Sequence, residues 1–457
     1  MRRLLLTLQH AVAAPSRNPR LAVVIGRLLG LAFLVCFATG LYSHFLQEPL
    51  PWMRFPTQPV QLYQVTQGIH ITAGIACFPL ILAKLYTVFP NLFETPPITG
   101  IGSLLERASI AVFVGASLVE ITIGLLNTYQ FYPWPFGFRE VHFALSFVII
   151  GSLAVHIGVK LPIIATYWRK RSGYGPELAF DAEERAEINA PLVDVLPAAV
   201  QRVPGARQAS GLTGRLFRWI DETPRERLPE QTAKQTAEQT AEQTAEQPAE
   251  QTAEQPSAAT SPSRRAFLLT TAAGVAAVVV LSAGQSFAAL RPFNLFAPRA
   301  KGIGPQAVPV NRTAAAAQVT DTAVSPDWAL TLTNGPTSMT FSRAQLLALP
   351  QTTVDLPISC VEGWSQMATW TGVRLADLVK QVASSGSPAL RITSLEKEGG
   401  YRVTQMGSEY VGDPTTLVAL NLNGETLDID HGYPARMIAP GRPGVLQTKW
   451  LSSLEVM

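Results

Sequence analysis

Four stretches of this chain are too long and too apolar to suit a water-soluble fold. They run roughly over residues 22–46, 62–89, 104–127 and 139–168, and each, as a helix, is long enough to cross about 30 Å of hydrocarbon. A soluble helical bundle would carry polar faces; these segments have almost none. Small residues within them, Gly74, Gly115, Gly151 and Ser152, suit close helix packing in lipid. Residues 1–171 are therefore expected to form an all-α four-helix membrane bundle. The chain is 47% apolar and only 15% charged, with a net charge of +3. That balance suggests lipid as a partner and gives no reason to expect nucleic acid.

Basic residues set the expected orientation. Arg2, Arg3, Arg17 and Arg20 precede the first span, and Arg169, Lys170 and Arg171 follow the fourth. Segments 47–61 and 128–138 are poor in Lys and Arg, so the N-terminus is expected in the cytoplasm and those two segments outside. Trp52, Tyr129, Tyr132, Trp134 and Trp168 fit an aromatic belt. Residues 172–262 then read as a cytoplasmic linker, with a short amphipathic helix near 216–220. Its Gln-Thr-Ala-Glu repeats over 231–255 have no apolar stripe and are expected to be disordered. A fifth apolar run, 263–290, opens with Ser263-Arg264-Arg265-Ala266-Phe267-Leu268-Leu269 and is close to a twin-arginine export signal. Either as a signal or as an ordinary span it puts the C-terminal part outside the cytoplasm. Ser286-Phe287-Ala288 is a possible cleavage site; retention as a fifth transmembrane helix is the expectation, because release would lose the proximity that the fusion supplies. Cys36 and Cys77 lie in apolar runs and read as packing residues.

Ionisable residues inside a span are functional candidates by default. His44, His70, His142 and His156 lie in or at the edges of the four spans. Fourteen residues separate His142 from His156, roughly 21 Å and nearly four turns of helix, so both rings share a face at two depths. This layout resembles the dihaem cytochrome b subunits of membrane oxidoreductases and implies two stacked b-type haems. Pairing by depth gives His44 with His142 and His70 with His156. The second pair mismatches by roughly 15 Å on a helical rise. His70 with His142 is the competing pair, leaving one haem or an unidentified inner ligand.

The C-terminal part, 325–457, alternates strand-like runs at 328–333, 391–394 and 416–422 with Gly, Pro and Asn turns, and a helix start at 374–379: an α+β pattern. It contains Ile358-Ser359-Cys360-Val361-Glu362-Gly363-Trp364-Ser365 and then Trp370-Thr371-Gly372-Val373. Further on come His431-Gly432-Tyr433-Pro434-Ala435-Arg436, Pro440-Gly441, Gly444 and Lys449-Trp450-Leu451. A soft thiolate suits a metal. Arg offers a planar fork to phosphate oxygens, and Lys a point charge. These two patches together resemble the sulfite-oxidase superfamily of molybdopterin enzymes, and the Cys-Val-Glu-x-Trp-Ser wording leans toward the bacterial methionine-sulfoxide-reductase catalytic subunit. The resemblance implies Cys360 as the molybdenum ligand and catalytic residue. It implies His431, Arg436, Gly444, Lys449 and Trp450 as the cofactor-binding set. The loop with which the family embraces its pterin from upstream is not legible between Arg291 and Asp327, where Asn311-Arg312 is the nearest stand-in. Glu362 is a candidate proton donor, read first as a hydrogen-bond partner. Tyr401 and Tyr410 are candidates for the metal-facing aromatic.

The expected organisation is a membrane domain over 1–171, a linker over 172–262, a signal or fifth helix over 263–290, a spacer over 291–324 and a molybdopterin domain over 325–457. The expected activity couples quinol and haem b electron transfer, at the cell membrane, to extracytoplasmic reduction of an S-oxide or N-oxide. A sulfite-type dehydrogenase feeding the quinone pool is the enzymatic alternative. A non-catalytic sensor or binding module on a cytochrome is the other.

Overall fold

The computed structural model describes residues 19–89, 100–169, 264–296, 302–383, 386 and 388–457. The expected linker repeats and the short helix near 216–220 lie outside the described residues. Five long helices come first: α1 (Pro19–Gln47), α2 (Leu62–Val88), α3 (Ile101–Thr128), α4 (Phe138–Arg169) and α5 (Arg264–Ser282). All five are long and apolar enough to cross a membrane. Leu28, Leu31, Leu34, Leu104, Leu105 and Leu161 stand exposed on them, an outward apolar surface suited to lipid rather than water. The fifth helix is shorter than its apolar run. It gives way to 3-10 turns at Ala283–Gln285 and Ala288–Phe293. The cause is local: a Cβ at Gly284 would sit 2.6 Å from the Leu290 carbonyl oxygen, so only glycine lets the chain fold back there.

The chain divides into two compact units, one of Met1–Arg27, Ile81–Val114 and Gly151–Ala272, the other of Leu28–Leu80, Gly115–Ile150 and Ala273–Met457. In the first, Leu21, Ile25 and Ala83 form a small core joined by Phe267 and Leu268. Tyr86 stacks on Phe267 with ring centroids 4.8 Å apart. The Lys84 ammonium donates to the Ala22 carbonyl at 2.7 Å, and Lys160 pairs with Glu106; both charges in apolar helices are thus partnered.

The second unit carries the remaining parts of α1–α5 and ten strands. β1 (Ala329–Asn334), β2 (Thr337–Ser342), β5 (Leu390–Ser394), β6 (Val403–Met406) and β10 (Leu451–Val456) form one five-stranded sheet in the order β2-β1-β10-β5-β6, parallel only between β1 and β10. β3 (Thr352–Ser359), β4 (Ser365–Arg374), β7 (Leu417–Leu422) and β8 (Glu425–Thr426) form the other in that order, with β9 (Arg436–Ile438) paired to β7. Alternating burial along β1 and β5 sends Leu330, Leu332, Leu390 and Ile392 into a core shared with Leu375, Leu378 and Leu454. A second cluster, with Trp364, Trp370, Leu417 and Ile438, includes Cys360. The expected strands and the 374–379 helix start fall within a residue of Ala329–Asn334, Leu390–Ser394, Leu417–Leu422 and Leu375–Val379.

Candidate functional site

Cys360 occupies the turn between β3 and β4. Its N–H donates to the Trp364 carbonyl at 2.9 Å and its carbonyl accepts from Gly363 N–H at 3.0 Å, closing a tight loop. Gly363 makes the loop possible, with φ of +100°. Glu362 is buried in that loop. Its carboxylate accepts from Trp364 Nε1 at 3.1 Å and from the Gln130 amide, partners that suit a structural anchor.

A cavity opens at the thiol. Cys360, Ile358 and Trp364 line it from the β3–β4 turn, His431 and Arg436 from the approach to β9, and Gly444 and Lys449 from the segment before β10; Pro309 and Asn311 complete it. The structure thus brings together five of the six residues singled out from the sequence. Gly444 is there because of space: a Cβ on it would lie 3.0 Å from the Ser359 carbonyl oxygen. Trp450, the sixth, is fully buried. It donates from Nε1 to the Ile429 carbonyl at 2.7 Å and presents its ring 4.3 Å beneath the Lys449 ammonium. Its place is to hold Lys449, not to line the cavity. An adjoining cavity shares Asn311, Gly444 and Lys449 and adds Arg312, Glu396 and Tyr401. Asn311, a weak signal in sequence, therefore stands at both cavities, and Arg312 at the second. Tyr401 lines this second cavity, while Tyr410 packs in the domain core beneath Arg442.

The electrostatics call for an anion. Arg436 is buried, donates to His431 O at 3.0 Å and Gln447 O at 3.2 Å, lies over the Trp370 ring at 4.9 Å, and its Nε has no hydrogen-bond partner. Burial lowers it to about 9. Lys449 is pushed down to about 7, by burial first and by the Arg436 charge second. Burial, then Arg436, lowers His431 to about 4, and its Nε2 donates to the Pro305 carbonyl at 2.8 Å. His431 is thus neutral at pH 7 without an anion, Arg436 is charged, and Lys449 is near half-protonation. A buried guanidinium with an idle N–H, a partly buried ammonium and a nearby thiol fit a phosphate-bearing, metal-carrying pterin.

A pH dependence follows. A lysine lowered from 10.5 to about 7 on folding binds fewer protons folded than unfolded between those values, so stability rises with pH across that window. Protein prepared without cofactor is expected to melt higher at pH 9 than at pH 7. Cofactor-loaded protein should lose most of that slope, because a bound anion keeps Lys449 protonated. Thermal unfolding of both forms in detergent checks this; equal slopes would remove Lys449 from anion binding.

The sequence model of the oxidoreductase molybdopterin-binding domain matches residues 316–457. Residues 316–457 are a molybdopterin-binding oxidoreductase domain. Sulfite oxidase of Arabidopsis thaliana is 33% identical over 104 residues, covering 20% of this chain and 26% of that protein. The NADH nitrate reductase of Spinacia oleracea is 38% identical over 99 residues, 20% of this chain and 11% of that protein. The crystal structure of the sulfane dehydrogenase SoxCD from Paracoccus pantotrophus matches at 25% identity over 29% of this chain and 40% of that one, with a TM-score of 0.26. The chain spans about a quarter of the sulfite oxidase and a tenth of the nitrate reductase. Five apolar helices precede the molybdopterin domain here.

Those helices hold the histidines. The His70 and His142 rings are neighbours, with centroids 6.1 Å apart and planes at 76°. His70 Nδ1 lies 2.8 Å from the Cys36 carbonyl oxygen, and His142 Nδ1 lies 3.3 Å from the Glu120 carboxylate. A Cβ on Gly40 would come within 2.9 Å of His70 Cε1, and one on Gly124 within 3.3 Å of His142 Cε1, so glycine lets each ring settle against α1 and α3. His44 stacks flat on Phe143 at 3.7 Å, not on His142. The structure thus brings His70 beside His142, the competing pair of the sequence reading, and places His44 against Phe143. His70 lies eight residues into α2 and His142 four into α4. His156 belongs to the other unit, where no second histidine lies among the described residues, and its Nδ1 has no hydrogen-bond partner.

Proposed function

We propose that the chain is a membrane-bound molybdopterin oxidoreductase that takes electrons from quinol through haem b and reduces an S-oxide or N-oxide outside the cytoplasm. The observation that carries this reading is the His70–His142 pair in the same compact unit as the Cys360 cavity. His70 and His142 would hold a haem iron between them, and the haem would supply one-electron transfer there. Metal-binding histidines typically anchor the other ring nitrogen on a carbonyl or carboxylate. Cys36 O takes that place for His70 at 2.8 Å, and Glu120 lies beside His142 Nδ1 at 3.3 Å without a hydrogen bond. A second haem on His156 would need a ligand other than histidine. The molybdenum cofactor supplies oxygen-atom transfer when bound. The chain's own work is to hold it: Cys360 through sulfur, Arg436 and Lys449 through charge, Gly444 by letting backbone approach.

The helix orientation expected from the basic residues places the domain on the outer face. Buried Ser286 donates to the Gly363 carbonyl, which favours retention of α5 over cleavage beside it. Likeness to a sulfite oxidase and to nitrate reductases spans both directions of electron flow, so sulfite oxidation into the quinone pool is the second reading. Haem and molybdenum stoichiometry on purified protein, followed by a panel of S-oxides, N-oxides and sulfite, tests all three readings. The expected result is molybdenum and haem in one chain, with quinol-dependent loss of an S-oxide or N-oxide. Iron without molybdenum, in cells supplied with the cofactor, would leave only the sensor reading.

A further inference from the structure

The turn that carries Cys360 is gripped by helical segments of its own compact unit. Three successive main-chain carbonyls after Cys360 each accept a side-chain donor from outside the sheet. Gln67 Nε2, on α2, donates to Val361 O at 2.7 Å. Gln285 Nε2 and Ser286 Oγ, just past α5, donate to Glu362 O at 3.4 Å and Gly363 O at 2.5 Å. Gln130, just past α3, donates to the Glu362 carboxylate. Gln67, Gln285 and Ser286 are buried. Glycines allow the close fit: a Cβ on Gly363 would lie 2.1 Å from Ile71 Cδ1, and one on Gly68 3.0 Å from the Ser286 and Phe287 side chains. A buried carbonyl is costly to leave without a donor, so these side chains serve to satisfy the turn's main chain.

We propose that Gln67 is the contact through which electrons pass between the helical part and the Cys360 site, with Gln285 and Ser286 holding the turn against it. This rests on the reading that His70 binds haem and Cys360 binds molybdenum. Gln67 precedes His70 by three residues on α2, less than one turn, or about 4.5 Å along the axis. From the His70 ring the route runs through α2 backbone to the Gln67 amide, across one hydrogen bond to the Val361 carbonyl, and along one peptide to Cys360. Every other step is covalent. A quinol gives up two electrons and two protons in becoming a quinone. Removing oxygen from an S-oxide consumes two electrons and two protons and releases water. The link therefore passes two electrons, singly, per turnover and moves no atom. Gln67 touches neither substrate nor cofactor; it is a positioning residue.

The test uses the full chain, purified with its cofactors, and the variant Gln67→Leu, which keeps bulk and removes the donor. Haem reduced by quinol is mixed with a sulfoxide and its reoxidation followed by stopped flow. Sulfoxide turnover is measured in parallel with a reduced viologen, which delivers electrons without the haem. The expected result is haem reoxidation slowed at least tenfold, viologen turnover changed less than twofold, and metal contents unaltered. Unchanged reoxidation overturns the proposal. So does an equal fall in both rates, which would make Gln67 a mere support of the turn. Should the leucine variant fail to assemble, Gln67→Asn, too short to reach Val361, gives the same two rates. Failure of the underlying reading looks different: the wild type itself would lack a haem band, lack molybdenum, or hold haem that no S-oxide or N-oxide reoxidises.

Discussion

Cys360→Ser is expected to abolish oxygen-atom transfer while leaving the haem spectrum and the fold intact. Serine is nearly the same size, and the bonds that shape the turn, Cys360 N–H to Trp364 and Gly363 N–H to Cys360, are main-chain bonds the substitution does not touch. The metal's bond to the chain is what changes. A thiolate is a soft ligand available near neutral pH, whereas a serine hydroxyl is hard and stays protonated. Losing an outer partner of a metal ligand typically costs 10–100-fold, so losing the ligand itself should leave less than about one hundredth of wild-type turnover. Cys36 and Cys77 are free thiols on α1 and α2 and do not line the cavity, so neither replaces it. Turnover with reduced viologen and molybdenum content, read beside the haem spectrum, decide the matter. A serine variant that keeps most of its activity would remove Cys360 from the metal.

Much of this was legible in the residue order, and what was not has physical reasons. Apolar runs reveal spans without any periodicity, since lipid asks only for length and the absence of charge; α1 to α4 fall within a few residues of the runs. The anion cavity was legible because its parts come as short linear patches, each carried on one turn. Trp450 stands behind Lys449 and not on the cavity wall, since adjacency in sequence says nothing about which of two neighbours faces the cavity. Ile358 and Trp364 stood in the Cys360 patch with no role of their own, and Pro309 carried no signal. Which histidines are neighbours was not legible, because depth depends on where each helix begins, and one turn of error moves a ring by about 5.4 Å. The grip on the Cys360 turn was not anticipated either, although Gln67 inside an apolar helix was a visible anomaly. A buried amide in such a helix asks for a partner, and here the partner is 294 positions away in sequence.

On the proposed reading that His70 and His142 bind haem, the other large effect lies with them. His70→Ala and His142→Ala are each expected to lose the haem they hold, seen as a fall of the pyridine-haemochrome signal to about one tenth or less of that haem's share. His44→Phe should keep it, because the His44 ring is stacked on Phe143 and a phenyl ring replaces that contact. Position on the helices does not account for this contrast, since all three histidines lie in apolar spans; the closeness of the His70 and His142 rings does. Second partners offer a graded control. Glu120→Gln keeps the shape beside His142 Nδ1, where the Glu120 side chain lies 3.3 Å away, so haem should remain bound, and the same pyridine-haemochrome assay reads it. If His44→Phe emptied the site and His142→Ala spared it, the electron route would have to start elsewhere, and the contact at Gln67 would lose its purpose with it.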